Sequence, residues 1–159
     1  MNHHAPFIKL MHRLVRSVLL EVIEPLFASS ITCVKWGSAF STLFNLTAGA
    51  LQDGVLSPTL FGIYIDDVAK KISACGSGCH LSLFSASICC YADDILLIAS
   101  SVQSLQTLLH LCEAELIYLD MCINSKKSVC IRFGSRFDVK CSNITTLKGN
   151  ALEWVGVCR

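Results

Sequence analysis

Apolar residues change their spacing several times along this chain, and each change marks an element. Over residues 7 to 28 they recur at helical intervals, with Leu10, Leu14, Leu20 and Ile23 interrupted by Lys9, Arg13 and Arg16. That pattern predicts an amphipathic helix whose last turn is weakened by Pro25. Two β-rich runs follow, Ile31 to Trp36 and Phe40 to Thr47, and the Gly37-Ser38-Ala39 between them reads as a hairpin turn. A Gly-containing loop from Ala48 to Val55 leads into Leu56-Ser57-Pro58. Serine suits an N-cap and proline the first helical position, so a helix is expected from about Pro58 to Ser73.

The pattern turns β-like again at Leu81 to Leu83 and Ser87 to Cys90, and once more at Ile95 to Ala99. Two acids, Asp93 and Asp94, separate the last two runs and should sit at the tip of a hairpin. From Ser104 to Met121 a stripe of Leu105, Leu108, Leu109, Cys112, Leu116 and Leu119 marks a core-facing helix. Strands around Val129 to Phe133 and Val139 to Thr146, then Leu152 to Val157, complete the readable elements. Helices alternating with hairpins predict an α+β fold with an antiparallel sheet.

Composition narrows the class. Of 159 residues 53% are hydrophobic and 16% charged, with mean hydropathy +0.57, which excludes the disordered class and suits one domain with a real core. Either much of the chain is buried or it has lost its neighbours. Acids break every long apolar run, so no membrane span is expected, and Met1 to Pro6 lacks the marks of a secretory signal. A net charge of +1 gives no overall basic excess for nucleic acid. Ten scattered cysteines without a C-x-x-C suit a reduced, intracellular setting. Cys75-Gly76-Ser77-Gly78-Cys79-His80 is a zinc candidate only if a distant pair completes it; its glycines and serines read as a turn.

The candidate chemistry lies in Tyr91-Ala92-Asp93-Asp94, set between Ile88-Cys89-Cys90 and Ile95-Leu96-Leu97-Ile98. Buried carboxylates cost several kcal/mol each unless compensated. Their mutual repulsion at about 4 Å and an effective dielectric near 20 adds about 4 kcal/mol. A divalent cation is the simplest compensation, and Mg²⁺ takes hard oxygen ligands of this kind together with substrate phosphates and water. Tyr64-Ile65-Asp66-Asp67 repeats the same pattern. It follows a helix start and precedes Lys70 and Lys71, so it is expected on a solvated, salt-bridged helix face. Asp93 and Asp94 have no basic residue within eight positions, which singles them out as the site.

Taken in order, these segments resemble the reverse transcriptases of non-LTR (LINE-type) retrotransposons. Tyr91 to Ile98 is similar to the family's catalytic box. Leu51-Gln52-Asp53-Gly54-Val55-Leu56-Ser57-Pro58-Thr59-Leu60-Phe61 with Tyr64 looks like its R-Q-G-x-x-L-S-P-x-L-F-x-x-Y segment. Leu119 through Asn124-Ser125-Lys126-Lys127-Ser128 is similar to its L-x-x-x-x-N-x-x-K-[ST] element, and Asn2-His3-His4 resembles the residues after its first catalytic aspartate. The resemblance implies a single partial polymerase domain over residues 1–159, with the palm core at about 48–147 and fingers and thumb missing. It implies metal-assisted nucleotidyl transfer with Mg²⁺ or Mn²⁺ held by Asp93 and Asp94. An RNA template, a DNA primer and deoxynucleotide triphosphates would be the partners. Gln52, Ser57 and Pro58 would border template and nucleotide, Tyr91 the primer end, and Lys127 the triphosphate as a proton donor.

Departures from the family pattern predict that the chain is inactive alone. Met1 stands where an upstream aspartate is expected, Leu51 where arginine is, and Asp53 puts a negative charge where glycine would let phosphates approach. The rival expectations are a non-catalytic remnant or interaction module, whose apolar surfaces were once covered, and a small metal-dependent nuclease using the same pair.

Overall fold

The computed structural model describes residues 4–28, 30–46, 54–81, 84–134 and 140–158. It divides into two compact units, Met1–Asp66 and Asp67–Arg159.

The first unit opens with two helices, α1 (His4–His12) and α2 (Ser17–Ala28), where periodicity predicts one. The reason is a helix ending made without glycine. Leu14 adopts φ +57°; its N–H reaches the Met11 carbonyl at 2.9 Å and that of Val15 reaches Leu10 at 3.2 Å. This is the paired bonding of a Schellman ending with leucine in the usual glycine position. Leu10 is buried with Leu60, and Phe7, Val15, Leu20, Ile23 and Ile63 pack around them. The predicted hairpin forms as β1 (Ile31–Thr32) with β4 (Phe44–Asn45) and β2 (Lys35–Trp36) with β3 (Ala39–Phe40), both antiparallel, turning at Gly37 with φ +61°. Helix α3 (Ser57–Ala74) matches the Ser-Pro expectation at both ends, and the boundary between the units falls within it.

In the second unit β5 (His80–Leu81) pairs with β6 (Phe84–Ser85), and β7 (Ile88–Tyr91) with β8 (Asp94–Leu97). Gly78 is required where it stands: a Cβ there would lie 1.9 Å from the Ser87 hydroxyl. Helix α4 (Val102–Tyr118) is capped by the Ser101 side chain, which accepts the Ser104 N–H at 3.1 Å. It ends at Asp120, φ +56°, again in a Schellman pattern, which is why it stops short of Met121. Its expected stripe is the buried face: Leu108, Leu109, Cys112, Leu116 and Leu119.

Strands β9 (Val129–Phe133), β10 (Ile144–Thr145) and β11 (Ala151–Cys158) form a three-stranded sheet in the order β10-β11-β9. Antiparallel pairing dominates as predicted, but β9 and β11 run parallel, with a bulge between Trp154 and Val157 at Gly156, φ +63°. Leu109, Cys130, Ile144 and Leu152 form the core under this sheet, with Leu97, Val102, Leu105, Ile123 and Trp154 around it. Gln106 fixes β10 as a neighbouring strand would, accepting the Thr145 N–H at 2.9 Å and donating to its carbonyl at 2.7 Å. Buried Glu113 accepts the Leu147 N–H at 2.6 Å.

Candidate active site

Strand alternation builds the site. On β7 and β8 Ile88, Cys90, Ile95 and Leu97 face inward and half-buried, while Cys89, Tyr91, Asp94 and Leu96 face solvent. Tyr91 pairs directly with Asp94, leaving Ala92 and Asp93 as a two-residue turn. Ala92 has φ +50°, and Asp93 does not share it, the pattern of a II′ hairpin turn in which glycine is usual. An alanine held there stores about 1–2 kcal/mol of strain, and backbone strain of this kind clusters at functional sites. The sequence signal was available: a two-residue turn between alternating strands, with no glycine to make it.

Both acids are exposed, which corrects the expectation of a buried pair. Apolar neighbours put only alternate side chains inward, and the tip projects past them. Desolvation therefore gives no reason for a cation here. Charge still does: among the described residues neither carboxylate has an ion-pair or hydrogen-bond partner. Asp94 lies across from Tyr91 on the open face, with Asp93 next to it in the turn. The hairpin is anchored behind the tip by Leu97 in the core and by the Ile98 N–H on the Ser87 carbonyl at 2.9 Å.

Two hard carboxylates are a sufficient protein contribution to a Mg²⁺ that keeps waters and takes substrate phosphates. The donor chemistry thus fits a divalent ion, although no group of three or more His, Cys, Asp or Glu that could hold a metal occurs among the described residues. The Cys75 to His80 segment is among those residues and forms the turn and bends between α3 and β5.

Lys127 is exposed in the turn before β9. Asn124 makes that turn: its Oδ1 accepts the Lys126 N–H at 3.2 Å, and its carbonyl accepts the N–H of Lys127 at 3.1 Å and of Ser128 at 3.0 Å. No ion pair joins Lys127 to either acid among the described residues. They share a foundation, however, because Leu97 and Cys130 meet in one core. Each of Asp94 and Lys127 is three residues up its chain from that core, at most about 10 Å. Ser57 and Pro58 begin α3 in the first unit. Gln52 lies outside the described residues.

The twin box is a different object. Tyr64 is 1% exposed and Ile65 is buried. Lys9 donates to the Tyr64 carbonyl at 2.6 Å and stands 5.5 Å from the ring centroid. Asp66 forms an ion pair with Arg13. Lys71 bonds Glu115 at 2.7 Å; that hydrogen bond, with Asp67 one turn back, raises the lysine pKa.

A family model described as reverse transcriptase (RNA-dependent DNA polymerase) matches residues 8–157. No curated protein matches the chain.

Proposed function

The chain belongs to the reverse transcriptase (RNA-dependent DNA polymerase) family, and from that premise we propose that the Tyr91–Asp94 hairpin tip is its catalytic carboxylate site, in a palm core of about residues 48–147 from a LINE-type retrotransposon. The observation that carries the proposal is the pair of exposed, unpartnered acids held on a strained two-residue turn. Asp93 and Asp94 would hold Mg²⁺ or Mn²⁺. Such an ion, when bound, neutralises phosphate charge and lowers the pKa of a primer hydroxyl.

The remaining roles belong to side chains. Tyr91, opposite Asp94, would lie against the primer end. Lys127, set by the Asn124 turn, would face the triphosphate and give a proton to the departing pyrophosphate. Gln52, Ser57 and Pro58 would border the RNA template and the incoming deoxynucleotide. The setting would be intracellular, where the scattered cysteines stay reduced.

Acting alone, the chain is proposed to be inactive. Asp53 would repel phosphate where the family pattern has glycine, and Leu51 stands where that pattern has arginine. The test is primer extension on poly(rA)/oligo(dT) with Mg²⁺ or Mn²⁺. No extension is expected; extension abolished by Asp93→Ala would overturn the inactivity while supporting the site.

A second reading has its own observation. Trp36 is 85% exposed, Leu14 90% and Val55 92%, apolar side chains that a partner would cover. A non-catalytic remnant or interaction module would account for them. Mn²⁺ titration separates the two, since a module needs no site dependent on Asp93.

A further inference from the structure

The fold sorts the cysteines by what lies beside them. Cys75, Cys89 and Cys122 are exposed, whereas Cys130 is buried in one core with Ile144. Cys141 is half-buried and stands three residues before Ile144, in a stretch without regular structure.

Trp154 brings Cys130 and Cys141 together. It is the register partner of Cys130, β11 against β9, where adjacent strands are about 4.8 Å apart. Its indole N–H donates to the Ser142 carbonyl at 3.1 Å, so the same side chain also holds the residue next to Cys141. Trp154 packs against the core that contains Cys130. The chain at Ser142 therefore passes on the side of the sheet that Cys130 faces. The electrostatics agree with this placement: burial first, and the Cys141 thiol second, push the Cys130 thiol pKa up.

We propose that Cys141 and Cys130 form a redox-sensitive pair, in which Cys141 reacts with hydrogen peroxide and Cys130 then closes a disulfide with it. The division of roles follows from burial. Cys141 lies on an irregular, half-open segment that an oxidant reaches, while Cys130 is kept as the thiol inside the core, placed to resolve and not to react first. In the first step the Cys141 thiolate attacks one peroxide oxygen, the O–O bond breaks, and the departing hydroxide takes up a proton to leave as water. In the second, the Cys130 sulfur attacks the sulfur of the Cys141 sulfenic acid, and the displaced hydroxide leaves as water with the Cys130 proton. Two thiols have lost two electrons and the peroxide has gained them. A dithiol reductant reverses the bond by exchange.

Cys90 and Cys112 are the internal contrast. They also neighbour each other, but burial raises both thiols, Cys112 to about 12, and each lies within a regular element, β7 or α4. Neither is placed to react first.

The pair needs neither metal nor nucleic acid, so it stands or falls apart from the function proposed above. The whole chain is treated with hydrogen peroxide raised stepwise, its remaining thiols are alkylated in denaturant, and it is digested with trypsin without reduction. The first disulfide within the chain should join peptide 128–132 to peptide 141–148, and dithiothreitol should separate them. In Cys130→Ala, Cys141 should accumulate as a sulfenic acid that dimedone captures. In Cys141→Ser, Cys130 should remain a thiol. Peroxide added in concentrated urea should give a mixture of pairs in place of this one. Oxidation of the exposed cysteines with Cys130 and Cys141 still alkylated would overturn the proposal. So would a Cys90–Cys112 bond formed first, capture of Cys130 and not of Cys141 in the two variants, or the same mixture with and without urea.

Discussion

Two segments of this chain carry one pattern, Tyr-x-Asp-Asp, and the fold uses them in opposite ways. In Tyr64–Asp67 the tyrosine is 1% exposed and Asp66 is tied to Arg13; in Tyr91–Asp94 the tyrosine is 82% exposed and both acids stand without partners. On α3 the four residues turn through a full helical turn, so Tyr64 and Ile65 reach the core while Asp66 meets α1. On the β7–β8 hairpin, alternation turns Tyr91 and Asp94 outward together and the turn adds Asp93. A tetrapeptide therefore specifies no chemistry; the element beneath it decides whether its acids hold the fold or stand exposed without partners.

The largest difference should be in the tyrosines. Tyr64→Ala removes a fully buried aromatic and should cost about 3–5 kcal/mol, whereas Tyr91→Ala should change stability by less than about 0.5 kcal/mol, both read by urea denaturation. Equal costs would erase the distinction. Next in size is the turn. Ala92→Gly relieves about 1–2 kcal/mol of strain and loses about 0.4–1 kcal/mol through a more flexible unfolded chain, so a gain of up to about 1.5 kcal/mol is expected. A loss would mean that alanine is at ease there. Smallest is the ion pair: Asp66→Asn should cost up to about 1 kcal/mol, diminishing with salt, while Asp93→Asn should cost nothing.

The core beneath the hairpin supplies a check by pH. Burial pushes the Cys112 thiol up from its ordinary 9.0 to about 12. The folded state then holds a proton that the unfolded chain releases, so stability is fully present below about pH 9 and falls as pH rises toward 12. Thermal melts of the whole chain should decline across that window, and Cys112→Ala, though less stable throughout, should decline less.

How much of this was readable in the sequence depends on how local the cause was. Helix α3 was legible nearly to the residue because Leu56-Ser57-Pro58 carries its own start signal, and α4 because its leucines form one stripe. The break between α1 and α2 was not, since Leu14 occupies a position that ordinarily advertises itself as glycine. Asp120 hid the end of α4 in the same way. The hairpin tip was placed correctly, but exposure of its acids was misread, because apolar neighbours in a strand bury only alternate positions. The Asp66–Arg13 pair and the parallel β9–β11 pairing join residues far apart in the chain, and no spacing rule reports them.

The most direct measurement is Mn²⁺ titration of the whole chain, followed by the spin-resonance signal of the free ion, with Asp93→Ala and Asp66→Ala compared side by side. One site is expected, lost in Asp93→Ala and kept in Asp66→Ala; a site indifferent to Asp93, or no site in the unaltered chain, would rule out the hairpin tip as a metal-binding centre.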